Sequence, residues 1–223
     1  MERSAYATET NGLHTSTALL IDYGGVLTSS VLGAFSSLSQ EVGLAPETAL
    51  GLLSTHEDVR KALIDHEIGQ LAEAEFEQIF ASALTAAGGT VGSDGLLARL
   101  NGHMALDDTM IDAVRQLRRQ GVPVALVSNS LGDNCYDRID LDELFDVSVI
   151  SRDVGIRKPS RQIYRIACEQ LNVAPEQCVL VDDLEQNLVG AARLGIAGIH
   201  HRSAHETMTR LQESLGIPAG LTK

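Results

Sequence analysis

Short apolar runs that stop at polar residues constrain the fold of this chain most strongly. Five such runs occur, at 18–21, 122–127, 147–150, 178–181 and 196–200. Asp22 follows the first run, Ser128-Asn129 follows the second, and Asp182-Asp183 follows the fourth. Continuous apolar runs of this length are typical of strands that are buried on both faces of a sheet.

Stretches with helical periodicity separate these runs. They lie at 106–120, 160–171, 184–194 and 204–215. Alternating strands and helices predict a Rossmann-like α/β fold, with a parallel sheet and helices on both faces. In such sheets, ligands bind beyond the carboxyl ends of the strands. The polar residues that end the runs are therefore the first candidates for a functional site.

The residues between the first and second runs have a different pattern. From 31 to 104 the apolar residues recur at helical spacing, as in 71–80, and no strong strand signal appears. We therefore predict a helical cap at 31–104, inserted into a core formed by 17–30 and 105–223. The polar residues 1–16 are predicted to form a flexible N-terminal arm.

The charge balance limits the classes of partner. The chain of 223 residues has 17 Lys and Arg against 30 Asp and Glu, a formal net charge of -13. Nucleic acid and anionic membranes are polyanions, so we expect neither as the main partner. A small anion remains possible, because a local cavity can oppose the overall field. The sequence leaves open whether the protein forms an oligomer.

The lack of a recognisable targeting signal and the spacing of the cysteines lead us to expect a cytoplasmic protein. The N-terminal residues are too polar for a secretory signal, and no apolar run approaches the ~20 residues that span a bilayer. The three cysteines are scattered, and none forms a CxxC pair. We therefore expect neither a disulfide framework nor a cysteine-ligated metal.

The polar residues at the strand ends suggest a phosphoryl-transfer site. Asp22, Asp182 and Asp183 would repel one another at one edge of the sheet unless a cation lay among them, and oxygen ligands of this kind suit Mg²⁺. Ser128 could donate a hydrogen bond to a phosphoryl oxygen, and Lys158 could supply a fixed positive charge.

Four motifs in order resemble those of the haloacid dehalogenase (HAD) superfamily. They are Ile21-Asp22-Tyr23-Gly24-Gly25-Val26-Leu27-Thr28, Val127-Ser128-Asn129-Ser130, Arg157-Lys158-Pro159 with Ile163-Tyr164, and Val181-Asp182-Asp183-Leu184-Glu185-Gln186-Asn187. The resemblance covers roughly residues 17–30 and 105–202. The predicted helical cap matches the family's cap by position and size alone.

The resemblance implies roles for the catalytic and substrate-binding residues. Asp22 corresponds to the nucleophile that becomes an aspartyl-phosphate, and Lys158 to the lysine that neutralises charge. Ser128 corresponds to the residue that binds the phosphoryl group. Asn129 and Gly25 complete the predicted substrate-binding set.

The resemblance also implies the metal site. Asp22, the backbone carbonyl of Gly24 and Asp183 correspond to Mg²⁺ ligands. Asp182 is predicted to assist directly or through water. Asn187 is predicted to orient the waters of the metal or Lys158.

One position departs from the family's phosphatases. They have Asp-x-Asp in the first motif, and the second Asp protonates the leaving oxygen and later activates water. Here that residue is Gly24, which has no proton to transfer. Such help is worth ~10²–10⁴-fold, so we expect slow turnover of alkyl phosphates unless another residue substitutes. The candidates in the predicted cap are His56, Glu57, Asp58, His66, Glu67 and His103.

Three functions remain open from the sequence. The leading one is a Mg²⁺-dependent phosphatase that acts on a small phosphorylated metabolite through Asp22. A second is a hydrolase that attacks carbon, as the family's dehalogenases do, although these generally need no metal and Asp183 is retained. The third is a binding or regulatory protein that keeps the fold without turnover, which the change at Gly24 motivates.

Overall fold

A parallel five-stranded sheet forms the centre of the computed structural model, which describes residues 16–217. The strands are Ala18–Ile21 (β1), Val124–Ser128 (β2), Val147–Ile150 (β3), Cys178–Asp182 (β4) and Ala197–His200 (β5). Their order is β3-β2-β1-β4-β5, so β1 is central and lies between β2 and β4. The predicted α/β fold with a parallel sheet is confirmed.

Helices account for most of the remaining described chain. They are Val31–Glu41 (α1), Thr48–Thr55 (α2), Glu57–Glu67 (α3), Glu73–Ala86 (α4), Leu96–Gly102 (α5), Asp108–Arg119 (α6), Leu141–Leu144 (α7), Ser151–Val154 (α8), Arg161–Leu171 (α9), Glu185–Ala192 (α10) and Ala204–Leu215 (α11). A short 3₁₀ turn, Pro175–Gln177, precedes β4.

Two hydrophobic clusters cover the two faces of the sheet. On one face, Leu19 and Ile21 of β1 pack with α6 and α11. On the other face, Ala18 and Leu20 pack with α9 and α10. Because successive side chains of a strand point to opposite faces, a strand covered on both sides must be apolar throughout. This requirement explains why β1 is a continuous apolar run rather than an alternating one.

The segment predicted as a cap contains α1 to α5 and forms a third hydrophobic cluster of its own. Its two ends meet at the sheet unit, where Thr28 and Leu106 form an antiparallel bridge. The backbone N–H of Ser29 donates to the carbonyl of Ala105 at 2.7 Å. The chain thus leaves and re-enters the sheet unit at one point. The division into domains at these residues stays a prediction, and we call 31–104 the helical segment.

The ends of the described range attach to the sheet unit. The predicted arm at 1–16 lies outside the described residues except for Ser16, whose backbone N–H donates to the carbonyl of Ser214 at 2.8 Å. Within residues 16–217, no helix is long and apolar enough to cross a membrane. Cys135, Cys168 and Cys178 are buried free thiols.

Candidate active site

Neighbouring strand ends bring three carboxyl groups together at one edge of the sheet. Asp22 directly follows β1, Asp182 is the last residue of β4, and Asp183 follows it. Because β1 and β4 pair in parallel, their carboxyl ends meet. One carboxylate oxygen from each of the three residues lies within 4.8 Å of the others. We call Asp22, Asp182 and Asp183 the acidic cluster.

Lys158 supplies positive charge to this cluster. It lies between α8 and α9, and the residue is only 2% exposed. Its Nζ is 2.7 Å from Asp22 Oδ1 and 2.8 Å from Asp182 Oδ2. Burial alone would lower the pKa of Lys158, but the two carboxylates outweigh that effect and raise it. The ammonium therefore stays charged and links the two acidic strand ends.

Asn129 holds the backbone that carries Lys158. Its Oδ1 accepts from the backbone N–H of Lys158 at 2.8 Å, and its Nδ2 donates to the Lys158 carbonyl at 3.3 Å. The side-chain amide thus positions Lys158, while the substrate-binding role predicted for Asn129 stays a prediction. Neighbouring Ser128 is buried, and its hydroxyl makes a long contact of 3.5 Å to the Asn129 carbonyl. That hydroxyl is available to donate to a ligand.

Both oxygens of Asp182 are already engaged. Oδ2 accepts from Lys158, while Oδ1 accepts from the backbone N–H of Leu184 at 2.9 Å and from Asn187 Nδ2 at 2.8 Å. Asp182 therefore fixes the position of Lys158, and Asn187 in turn fixes Asp182. This geometry favours the indirect role among those predicted for Asp182, and it agrees with Asn187 orienting Lys158.

Asp183 lies against the turn that follows Asp22. Gly25 has a φ of 76°, and a Cβ added there would lie 2.4 Å from Asp183 Oδ2. Glycine is thus required both by the left-handed backbone and by the close approach of this carboxylate. The backbone N–H of Gly25 donates to Thr28 Oγ1 at 3.2 Å, and the substrate-binding role predicted for Gly25 stays a prediction. The structure therefore gives Gly25 a role in spacing the acidic cluster.

The negative charge of the acidic cluster would be stabilised by a bound cation. Burial and the nearby Asp182 charge raise the pKa of Asp183 to about 6, and no ion pair among residues 16–217 neutralises it. Burial also raises the pKa of Asp22, even though Lys158 opposes this effect. Three carboxyl groups share one ammonium, so the cluster carries excess negative charge when all are ionised.

The donor set fits a divalent metal ion. Asp22 and Asp183 offer hard carboxylate oxygens at short separation. The carbonyl of Gly24 accepts no hydrogen bond within the described range, so it is available as a third protein ligand. Hard divalent cations of the Mg²⁺ type prefer such oxygen donors.

A cavity of about 150 Å³ lies between this edge of the sheet and the helical segment. The sheet unit supplies Asp22, Ser128, Lys158 and Asp183, which we call the floor. The helical segment supplies Val31, Leu32, Glu67 and Met104, which we call the roof. Gly24, Asn129 and Asn187 also line the cavity, whereas Gly25 and Asp182 do not.

Only one of the six acid candidates in the helical segment lies at the cavity, and that residue is Glu67. His66 is buried and stacks on Phe76. His103 pairs with Glu41 at 2.7 Å on the surface. The others face outward, with His56 and Asp58 lining a separate surface groove and Glu57 exposed.

Tyr136 and Arg157 are two of the cavity residues for which the sequence predicted no role. Tyr136 packs edge-on against Tyr23, with ring centroids 4.9 Å apart, and both line the cavity. Arg157 precedes Lys158 and lies 2.7 Å from Glu67. Tyr136 lies in an irregular stretch without a motif, so no sequence signal identified it. Arg157 was part of a motif, but its partner lies 90 positions away in the chain.

Comparison with known proteins agrees with this geometry. The family model for haloacid dehalogenase-like hydrolases matches residues 17–195. Acyl-CoA dehydrogenase family member 10 of Mus musculus is 32% identical over 114 residues, which are 50% of this chain and 11% of that protein. Sesquiterpene phosphatase astK of Aspergillus oryzae is 26% identical over 118 residues, 52% of this chain and 60% of that protein. The matches thus span less than two thirds of either relative.

A solved structure shares the fold. A HAD family enzyme from Bacteroides thetaiotaomicron, solved as a magnesium complex, superposes with a TM-score of 0.63 at 21% identity. The match covers 84% of this chain and 94% of that one. The family match extends over most of the chain and includes every residue of the acidic cluster. The chain therefore belongs to the haloacid dehalogenase-like hydrolase family.

Proposed function

We propose that the protein is a Mg²⁺-dependent phosphatase of small phosphorylated metabolites and that Asp22 is its nucleophile. The observation that carries this proposal is the arrangement of the floor, where Asp22 and Asp183 flank one cavity and Lys158 is buried beside Asp22. The phosphatase activity of the fungal relative supports it. When bound, Mg²⁺ supplies positive charge that lets a phosphate approach this acidic edge.

The hydrogen bonds of Asp22 leave one oxygen available for attack. Oδ1 accepts from the backbone N–H of Tyr23 at 2.7 Å and also pairs with Lys158 at 2.7 Å. These contacts engage Oδ1, so Oδ2 of this cavity-lining residue is the oxygen that acts as the nucleophile. Attack on phosphorus forms an aspartyl-phosphate at Asp22. Ser128 donates to a phosphoryl oxygen, and the Lys158 ammonium stabilises the developing charge.

The roof suggests the character of the organic group. Val31, Leu32 and Met104 are apolar, and Leu32 is 48% exposed beside Leu184, which is 38% exposed. Exposed leucines beside a charged floor favour a substrate whose phosphate meets the floor while an apolar group meets the roof. We therefore propose alkyl or aryl phosphates rather than strongly charged sugar phosphates.

A screen of phosphorylated metabolites, with Mg²⁺ and with EDTA, tests the proposal. We expect phosphate release with Mg²⁺, loss of release with EDTA, and loss of all turnover in Asp22→Asn. Asp137→Asn is the matched control, because Asp137 is exposed and outside the cavity. Release that persists in Asp22→Asn would contradict the assignment of the nucleophile.

Attack on carbon is the second candidate. Its support is Gly24, because a carbon-attacking hydrolase needs no acid at that position for a halide leaving group. Halide release from a haloacid that persists in EDTA and disappears in Asp22→Asn would favour this candidate over the phosphatase. The retained Asp183 carboxylate supports the phosphatase, since halide displacement has no use for a metal ligand there.

A further inference from the structure

Glu67 holds a fixed position between the helical segment and the sheet unit. It is the last residue of α3, which packs against α8. Its carbonyl accepts from Ser151 Oγ at 2.5 Å. Two residues on, the backbone comes so near α8 that a Cβ on Gly69 would lie 2.7 Å from the Arg152 carbonyl. Glu67 is therefore anchored to the sheet unit by its backbone, with its side chain at the cavity.

The carboxyl group of Glu67 is buried with few polar contacts. The residue is only 7% exposed. Arg157 Nε lies 2.7 Å from Glu67 Oε2, but the pair does not form a well-directed hydrogen bond. Burial of a carboxylate that lacks such a bond is costly, so burial favours the neutral acid. Consistent with this, burial raises the pKa of Glu67 to about 7 despite Arg157 and Lys158.

Packing leaves no room for an acidic side chain at position 24, where the family's phosphatases carry their proton donor. A Cβ on Gly24 would lie 2.7 Å from Cγ2 of Val31, which is the first residue of α1. The roof thus fills the space that an acidic side chain at position 24 would need. Within the described range, Glu67 is the one carboxyl group that the helical segment contributes to the cavity.

We propose that Glu67 is a catalytic residue, the general acid and base that the first motif lacks. This inference rests on the proposed phosphatase function. As Asp22 Oδ2 bonds to phosphorus, the ester P–O bond breaks and Glu67 gives its proton to the leaving oxygen, which departs as an alcohol. The Glu67 carboxylate then takes a proton from the water that attacks phosphorus. The Asp22–phosphorus bond breaks, so that phosphate leaves and both residues return to their starting states.

Leaving-group dependence in Glu67→Gln tests this role. Glutamine keeps the size of the side chain and mimics the neutral acid, so the variant should fold. The probes are n-butyl phosphate, whose alkoxide needs a proton, and p-nitrophenyl phosphate, whose phenolate does not. We expect kcat/KM for the butyl ester to fall by about 10²–10⁴-fold, because this constant includes the bond-breaking step. For the nitrophenyl ester we expect the kcat/KM of Glu67→Gln to stay within about threefold of the wild-type value. Its kcat should be lower and its phosphoenzyme fraction larger, because the variant lacks the base for the attack of water.

The control and the contrary outcomes separate this role from a structural one. Glu57→Gln makes the same change at the exposed start of α3 and should leave both substrates unaffected. An equal loss of kcat/KM on both substrates would mean that Glu67 only holds the roof against Arg157, and no loss on either would also overturn the proposal. If the wild type hydrolyses neither ester and never carries phosphate on Asp22, the phosphatase function itself is wrong, and the role of Glu67 is rejected with it.

Discussion

The floor and the roof of the cavity are built in opposite ways. The floor consists of polar side chains at the strand ends and in the loop before α9, and its central contact is the Lys158 ammonium between Asp22 and Asp182. The roof is mostly apolar, and its single carboxyl group, that of Glu67, is buried without a well-directed hydrogen bond. A satisfied polar network is rigid, whereas an apolar wall can change with little cost.

Because of this difference, we expect the floor and the roof to have different functions. On our proposal, the floor carries the phosphoryl chemistry, and its geometry follows from the pairing of β1 with β4. On the same proposal, the roof selects the organic group and delivers the proton. Changes to the floor should therefore abolish activity, whereas changes to the roof should alter which substrates react and how fast.

Removing the floor's cation has the largest expected effect. In Lys158→Met, two buried carboxyl groups lose their partner, which costs about 3–5 kcal/mol for a buried pair, and turnover is lost. Urea unfolding and phosphate release measure both effects. Lys61→Met is the control, since Lys61 is exposed and pairs with Asp65 on the same helix, so we expect a change below about 0.5 kcal/mol. Retained turnover in Lys158→Met would mean that the floor does not need this charge.

The Glu67 carboxyl should make stability fall as pH rises. Burial raises its folded pKa from 4.5 to about 7, against Arg157 and Lys158, which face it from the loop before α9. Below the unfolded pKa both states hold the proton, so there is no penalty. As pH rises towards 7 the unfolded state releases its proton first, and folding loses up to about 3 kcal/mol. Glu67→Gln removes this loss.

Urea unfolding of both proteins at about pH 5 and about pH 8, in EDTA, measures the difference. Other buried groups titrate equally in the two proteins, so the comparison isolates Glu67. We expect the variant to gain stability relative to wild type at the higher pH. A constant difference between the two proteins would show that Arg157 keeps Glu67 ionised throughout, and the roof would then hold a plain ion pair.

Restoring an acid to the first motif should depend on the roof. Gly24→Asp alone forces its Cβ against Val31 Cγ2, and such overpacking costs about 1–3 kcal/mol. With Val31→Ala the side chain gains room. We combine Gly24→Asp and Val31→Ala with Glu67→Gln in one triple variant. We expect this variant to recover part of the kcat/KM for butyl phosphate that Glu67→Gln loses. Val31→Ala in Glu67→Gln is the control, and an equal gain there would show that the added acid contributes nothing.

The smallest expected effect comes from the apolar mouth. Leu32→Ala removes part of the surface that we assign to the organic group, worth about 1 kcal/mol or roughly fivefold in kcat/KM for butyl phosphate. Phosphate esters without an apolar group should not change. Leu50→Ala is the matched control, because Leu50 is also an exposed leucine of the helical segment but does not line the cavity. An equal loss of kcat/KM for all esters would contradict the proposal that the substrate carries an apolar group.

The floor was largely predictable from the sequence, and the roof was not. Strand ends are marked by apolar runs, and parallel pairing fixes where they meet, so Asp22, Asp182 and Asp183 were expected at one edge. Lys158 lies outside the strands, so the strand ends did not locate it, and it was predicted as a fixed positive charge from its residue type and from the family resemblance. The hydrogen bonds of Asn129 to the Lys158 backbone were not predicted, because they depend on a loop whose course the sequence does not encode locally.

The helical segment shows why the remainder could not be predicted. Six acid candidates were equivalent by composition, and helical periodicity does not tell which face of α3 meets the sheet unit. The burial of Glu67 depends on the contact between α3 and α8, which are separated by more than 80 residues in the chain. Tertiary packing of this kind decides the side-chain environment, and with it the pKa.

Covalent labelling of Asp22 tests the central claim most directly. The protein is mixed with p-nitrophenyl phosphate and Mg²⁺, quenched in acid, digested and examined by mass spectrometry. We predict that the peptide containing Asp22 carries one phosphoryl group, that the group is absent with EDTA and in Asp22→Asn, and that it accumulates in Glu67→Gln. Turnover of the ester with no label on Asp22, or with the label on another residue, would contradict the account.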